Sequence, residues 1–167
     1  MAKKLTVSRK QKTAIHNHSA FTPHPKIEGN EQFLMFHFME WIGSHLCDCS
    51  RVFKGDLIEM TVLAVIGQMF VRHHSNEATR NYALDGEVLT VSIAQISEAT
   101  SIPRETVRRK LLLLQKRGWV EQMSNGGWTM KIIDGQSTAN KDLQTLQTRS
   151  LTRLMNLVDA VSSHIQK

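Results

Sequence analysis

The chain contains no glycine-rich phosphate loop, no nucleophile elbow and no His-Glu-x-x-His run. The common sequence signatures of nucleotide hydrolysis, acyl transfer and zinc proteolysis are therefore missing. Cysteine is scarce. Cys47 and Cys49 stand alone, with His45 beside them and no second pair to complete a zinc set. A metal-responsive or redox-responsive sensor using Cys47 and Cys49 stays open, but two reduced thiols are the plainer expectation. Long apolar runs are lacking too. The most apolar stretch, Leu57 to Val71, is interrupted by Glu59, Thr61 and Gln68, and a membrane-spanning helix needs about 20 apolar residues. The N-terminus has no apolar core of the kind a signal peptide carries. The expectation is a cytoplasmic protein with no catalysis, no cofactor, no metal and no membrane partner.

Positive charge is present, and it is uneven. The 167 residues carry a formal net charge of +6. From Val91 to Asp134, Arg104, Arg108, Arg109, Lys110, Lys116, Arg117 and Lys131 stand against four acids. From Asp56 to Thr90 two basic residues face five acids. A local basic bias is the electrostatic footprint expected of a phosphate-binding surface.

That bias falls on the most structured-looking stretch, VSIAQISEATSIPRETVRRKLLLLQKRGWV, residues 91 to 120. Ser92 with Gln95 three residues on forms a capping box and predicts a short helix. Ser97 is small where two crossing helices approach closely. Thr100-Ser101-Ile102-Pro103 predicts the turn, because proline tolerates only the first turn of a helix. A second helix then runs to about Arg117, and Gly118 supplies a left-handed stop. At about 100° per residue, Val107, Leu111 and Leu114 share one narrow arc, the core face. Glu105 and Arg109 lie nearly opposite, with Arg104, Arg108 and Thr106 flanking. Arginine can bond bidentately to guanine, and glutamate can accept from the cytosine amino group. Arg104, Glu105, Thr106, Arg108 and Arg109 are therefore the candidate base readers, against the plainer reading of a solvated helix surface.

A wing is expected next. Trp119 to Met123 reads as a strand, Ser124-Asn125-Gly126-Gly127 as a tight turn, and Trp128 to Ile133 as the return strand. Glu87 to Val91 is expected to pair as a third strand. Ser92, Gln95, Lys110, Asn125 and Lys131 are the candidate phosphate contacts.

Arg104-Glu105-Thr106-Val107-Arg108-Arg109 resembles the recognition helix of the catabolite activator family, whose pattern is R-E-T-V-x-R. The resemblance implies base contacts for Arg104, Glu105 and Arg109. It covers about residues 88 to 134, with Ser101 and Pro103 where that family usually has Gly and Ser. It does not extend to the family's cyclic-nucleotide-binding barrel.

Outside the motif, residues 1–29 read as a basic arm that either tracks phosphates or is a plain tail. Glu31 to Cys47 reads as a helix apolar nearly all round, which must be buried on several sides. It falls in an N-terminal dimerisation unit at 30–50. Asp56 is expected to cap a helix over about Leu57 to Arg72, opening a winged helix-turn-helix domain at 55–134. A long amphipathic helix occupies 139–166, with Leu143, Leu146, Leu151, Leu154, Leu157, Val158, Val161 and Ile165 on one stripe. Phe33, Phe36, Trp41, Leu143, Leu146, Leu154, Leu157 and Val161 are the expected dimer contacts. The apolar side of the first helix could instead line an effector pocket, with dimer core the simpler reading. This order of elements resembles the MarR-type regulators, which implies a homodimer with intertwined terminal helices and a small-molecule effector between the lobes.

The expected fold is mainly α with a small β-wing, a winged helix-turn-helix flanked by dimerisation helices. The expected partner is double-stranded DNA, read in the major groove by the helix at about 103–117. The alternative is a protein–protein docking module, for which Leu112 and Leu113 on the outward side of that helix would be the contact.

Overall fold

Two apolar helices begin the structure and pack on different neighbours. The computed structural model describes residues 27–75 and 90–165. The expected arm up to residue 26 and residues 76–89, which include residues 87–89 of the expected third strand, lie outside the described residues. Helix α1 spans Glu31–Val52 and α2 spans Leu57–Ser75. Between them Lys54 (φ 53°) and Gly55 (φ 84°) reverse the chain. Asp56 then caps α2, its Oδ1 accepting the Glu59 N–H at 3.0 Å.

Helices α3 (Ile93–Thr100) and α4 (Arg104–Lys116) follow, joined by a three-residue turn. Val62 and Ile66 of α2, Ile96 of α3, and Val107, Leu111 and Leu114 of α4 are essentially buried together. The apolar phase read from the sequence is therefore the core phase. Phe53, Val120 and Trp128 close the same core.

Strands β1 (Val120–Gln122) and β2 (Trp128–Met130) form an antiparallel hairpin, with Val120 opposite Met130. The third-strand pairing appears at Val91, which exchanges two backbone hydrogen bonds with Trp128. Gly127 allows this close approach: a Cβ would lie 2.3 Å from Thr90 Oγ1 and force the Thr90 side to shift.

Two expectations change at this end of the chain. The return strand does not run to Ile133. It stops at Met130, and Ile132–Ile133 (β3) pairs instead with Gln136–Ser137 (β4). Asp134 and Gly135 both have positive φ (51° and 76°), the turn chemistry that closes a two-residue hairpin. Nor is the C-terminal segment one helix. Ser137 caps a short α5 (Thr138–Asp142), and α6 (Gln144–Ile165) starts afresh after Leu143. Trp119 Nε1 donates to Asp142 Oδ2 at 2.8 Å and Leu143 is buried, so the break is pinned to the core.

Helix α6 returns along α1. Phe33 stacks on His164 with ring centroids 3.8 Å apart. Asp48, buried on α1, takes Arg51 at 2.8 Å and Arg153 of α6. The Arg153 hydrogen bond, foremost, holds the Asp48 carboxyl below its ordinary range, with Arg51 and Arg149 adding to it against burial. A folded-state pKa below the unfolded value gives stability that is present above the ordinary aspartate range and is lost as pH falls through the folded value. An Asp48→Asn protein is therefore expected to melt lower than the parent at pH 7. The gap in Tm should close as both are scanned into acid. A gap that is absent at pH 7, or constant with pH, would show that the pair does not hold α1 to α6.

Candidate nucleic-acid interface

The α3–α4 pair is set by local chemistry. Ser92 Oγ accepts the Gln95 N–H at 3.2 Å and Gln95 Oε1 accepts the Ser92 N–H at 2.8 Å, so the capping box is complete. Ser101 sits in the left-handed region at φ 58°. Its neighbours hold it there: Thr100 Oγ1 donates to Ile96 O at 2.7 Å, Ser97 Oγ donates to Ile102 O at 2.7 Å, and Ile102 N–H donates to Thr100 Oγ1 at 3.3 Å. Serine thus occupies a turn position where glycine is the usual answer.

Helix α4 is clamped from behind at its middle and just past its C-terminal end. Lys110 pairs with Asp56 at the start of α2. Arg117 Nε lies 2.7 Å from Glu59 Oε1. Its guanidinium also covers the Trp119 ring (4.9 Å) and the Phe53 ring (5.7 Å). Burial pushes Asp56 up, but the Lys110 hydrogen bond, the Glu59 N–H and the nearby cations bring it below its ordinary range. For Glu59, which is buried, desolvation wins over Arg117 and the carboxyl is raised.

The front of α4 presents Arg104, Glu105, Arg108 and Arg109, all exposed, with Thr106 half-buried. The five expected base readers are therefore brought onto one surface, but they are not equivalent. Arg108 grips Glu105 through Nε and a terminal nitrogen, each at 3.0 Å. That hydrogen bond lowers the Glu105 pKa and raises that of Arg108. Arg109 donates to Thr106 Oγ1 at 3.4 Å. Among the described residues Arg104 and Arg109 enter no ion pair, so their guanidinium groups are the ones available to a ligand.

The expected phosphate contacts fare differently. Ser92 and Gln95 lie at the α3 N-terminus, within the capping box. Lys110 is not a free cation, because Asp56 takes it; an outward phosphate role does not fit its position. Asn125, at the β1–β2 turn, donates to Thr90 Oγ1 at 3.1 Å and accepts the Gly127 N–H at 2.9 Å. Its side chain builds the turn. Lys131 is half-buried between the two hairpins. Leu112 and Leu113 are exposed on α4, as expected.

The expected dimer contacts also divide. Leu143 is in the chain's own core and Leu146 packs against it. Phe33 stacks on α6, and Trp41 and Leu157 line the cleft between α1 and α6. These five are occupied within the subunit, because the stripe assigned to the partner is in part the face that α6 turns to α1. Phe36 (64% exposed) and Leu154 keep outward faces, and Val161 is half-buried. The outward apolar set adds Met35, Met39, Leu151, Met155 and Val158, which the sequence reading left out of the contact set. Helical phase was the available signal: Met35, Met39 and Leu46 fall roughly opposite His37, Trp41 and Ser44 at about 100° per residue.

Cys47 is exposed and Cys49 buried, on diverging sides of α1. Ser150 Oγ donates to Leu146 O at 2.8 Å, so it accepts from His45 Nδ1 at 2.9 Å. His45 Nε2 is then an acceptor for the Cys49 thiol at 3.5 Å. Burial, then Asp48, raises the Cys49 pKa, which keeps it a thiol donor. Two such divergent sulfurs do not converge on one ion. No group of three or more His, Cys, Asp or Glu side chains among the described residues is placed to hold a metal, and no helix among them is long and apolar enough to cross a membrane.

Compared with models of known protein families, with curated proteins and with solved structures, the chain matches none.

Proposed function

We propose that this chain is a winged helix-turn-helix regulator of transcription, acting in the cytoplasm, that reads duplex DNA as a two-fold dimer without catalysing a reaction. One observation carries the reading: the first turns of α4 expose Glu105 and Arg109 opposite Val107, Leu111 and Leu114, which are fully buried, with exposed Arg104 at the flank. A helix anchored so firmly on one side, with bidentate hydrogen-bonding groups on the other, is suited to lie in a major groove. Glu105, held ionised by Arg108, is a fixed acceptor for a cytosine amino group. Arg104 and Arg109 are the guanine readers. The β1–β2 hairpin is the wing, and its tip, with no Lys or Arg, offers backbone groups to phosphate. The outward apolar faces of α1 and α6 are the dimer surface. A two-fold dimer demands a roughly palindromic site with half-sites about 34 Å apart.

Selection of bound sequences from random duplexes tests this directly. On the selected duplex, Arg109→Ala is expected to cost about 1–3 kcal/mol of binding and to relax preference at one base pair. An equal loss on every sequence would make Arg109 a phosphate contact. Leu112 and Leu113, 45% and 44% exposed, favour a second reading in which α4 docks on a protein. Failure of the selection to enrich any duplex would favour that one.

A further inference from the structure

A cavity of about 580 Å³ lies where the packed α1–α6 pair meets α2 and α5. Its volume falls within the range of small-molecule sites, roughly 300–1,000 Å³. Phe53, Leu63, Met130, Leu143 and Leu146 give it apolar walls. Gly67 opens its α2 side. Glycine weakens a helix interior, yet here a Cβ would meet nothing within 4 Å, so the residue leaves space. No aspartate or glutamate lines the cavity. The imidazole of His45 is already held between Ser150 and Cys49, and Gln147 already donates to Asn140 at 3.1 Å. Arg72 is different. It lines the cavity, is exposed and so stands at its open side, and enters no ion pair among the described residues.

We propose that this cavity binds a small aliphatic or aromatic carboxylic acid, its apolar body against Gly67 and the α2–α6 walls and its carboxylate at Arg72. Apolar lining favours a hydrocarbon body. The absence of lining carboxylates and the presence of one unpaired guanidinium favour an anionic head over a neutral or cationic one. The site does not depend on the DNA-binding reading, and its test uses no DNA.

The probe is decanoate, titrated calorimetrically into the full chain below its micelle concentration, beside decanol and decylamine. Decanoate is expected to bind one per chain, decanol at least tenfold more weakly, and decylamine not measurably. Gly67→Leu fills the space without a backbone clash. It should melt no lower than the parent and lose at least tenfold in decanoate affinity. Ala64→Met, from the same wall, serves if the leucine variant does not fold. Arg72→Gln should reduce decanoate to the level of decanol and leave decanol unchanged. Undiminished binding by a folded filling variant would place the acid on the exposed faces of α1 and α6 and overturn the proposal. Equal affinity for all three head groups would remove the carboxylate class. No binding by the parent would remove the site.

Discussion

A Leu151→Glu, Met155→Glu protein is expected to sediment as a folded monomer and to bind the selected duplex more than a hundredfold more weakly than the parent. The two side chains are 61% and 56% exposed on α6, so their loss removes little from the subunit's own packing. They lie beside Leu154 and Val158, and α1 offers Met35, Phe36 and Met39. These outward residues are the apolar surface on which a dimer would build, and a standard interface buries about 800 Å² per partner. Each fully buried leucine would contribute about 1.5–3 kcal/mol, and a glutamate in its place would have to be desolvated without a partner. The effect on DNA follows from geometry, not from any contact with a base. With two recognition helices on one rigid dimer, the second half-site is bound intramolecularly, a gain of roughly 10²–10⁴ that a monomer forfeits. Sedimentation at micromolar concentration with a parallel circular dichroism spectrum reads the first half, and titration of the duplex reads the second. A parent that is itself a monomer, or a monomeric variant with full affinity, would remove the dimer from the reading.

What the sequence made legible was chemistry that closes within a few residues. Ser92 and Gln95, Pro103 and Gly118 announce the ends of α3 and α4, because caps and breakers act on backbone groups one turn away. The buried phase of α4 was legible for a similar reason: in its first turns Val107 and Leu111 stand against charged residues at 104, 105, 108 and 109, and Leu114 continues their arc. Helix α6 gave no such contrast. Leucine or valine occurs on both its inward and outward faces, so periodicity found the helix but not which stripe meets α1. Leu154 and Leu157, one turn apart, look alike in sequence, yet Leu154 is exposed and Leu157 lines the cleft toward α1. The second hairpin was signalled by Asp134-Gly135 but hidden by the apolar pair Ile132–Ile133, which reads as a continuation of β2. Least legible were contacts set by tertiary placement. Lys110 and Asp56 are 54 residues apart. Nothing local to Lys110 distinguishes a clamp from a phosphate contact.

Glu59 is the sharpest instance, because in the sequence it only interrupts an apolar run. In the fold it is buried, 4% exposed at the side chain, and faces Arg117 at 2.7 Å. Arg117→Ala is expected to cost about 3–5 kcal/mol of stability at pH 7, since removing one partner leaves a buried charge uncompensated. Some of that loss is the guanidinium's packing over Trp119 and Phe53. The remainder is electrostatic, and pH separates the two. Burial already raises the Glu59 pKa, and Arg117 opposes that rise. Without Arg117 the folded-state pKa climbs further above the unfolded value. A carboxyl raised in this way favours the folded state below the unfolded pKa, and that advantage is lost as pH rises through the folded value. The deficit of Arg117→Ala should accordingly shrink between pH 7 and pH 5, whereas a pure packing loss would not. Glu59→Gln added to Arg117→Ala should recover a large part of the stability at pH 7 and abolish the pH dependence. Urea unfolding of the three proteins at both pH values decides it. A loss below about 1 kcal/mol, well short of the cost of a broken buried pair, or no recovery in the double variant, would mean that Glu59 is solvated. The C-terminal end of α4 would then be held against α2 by apolar packing, with Leu111 and Leu114 in the shared core.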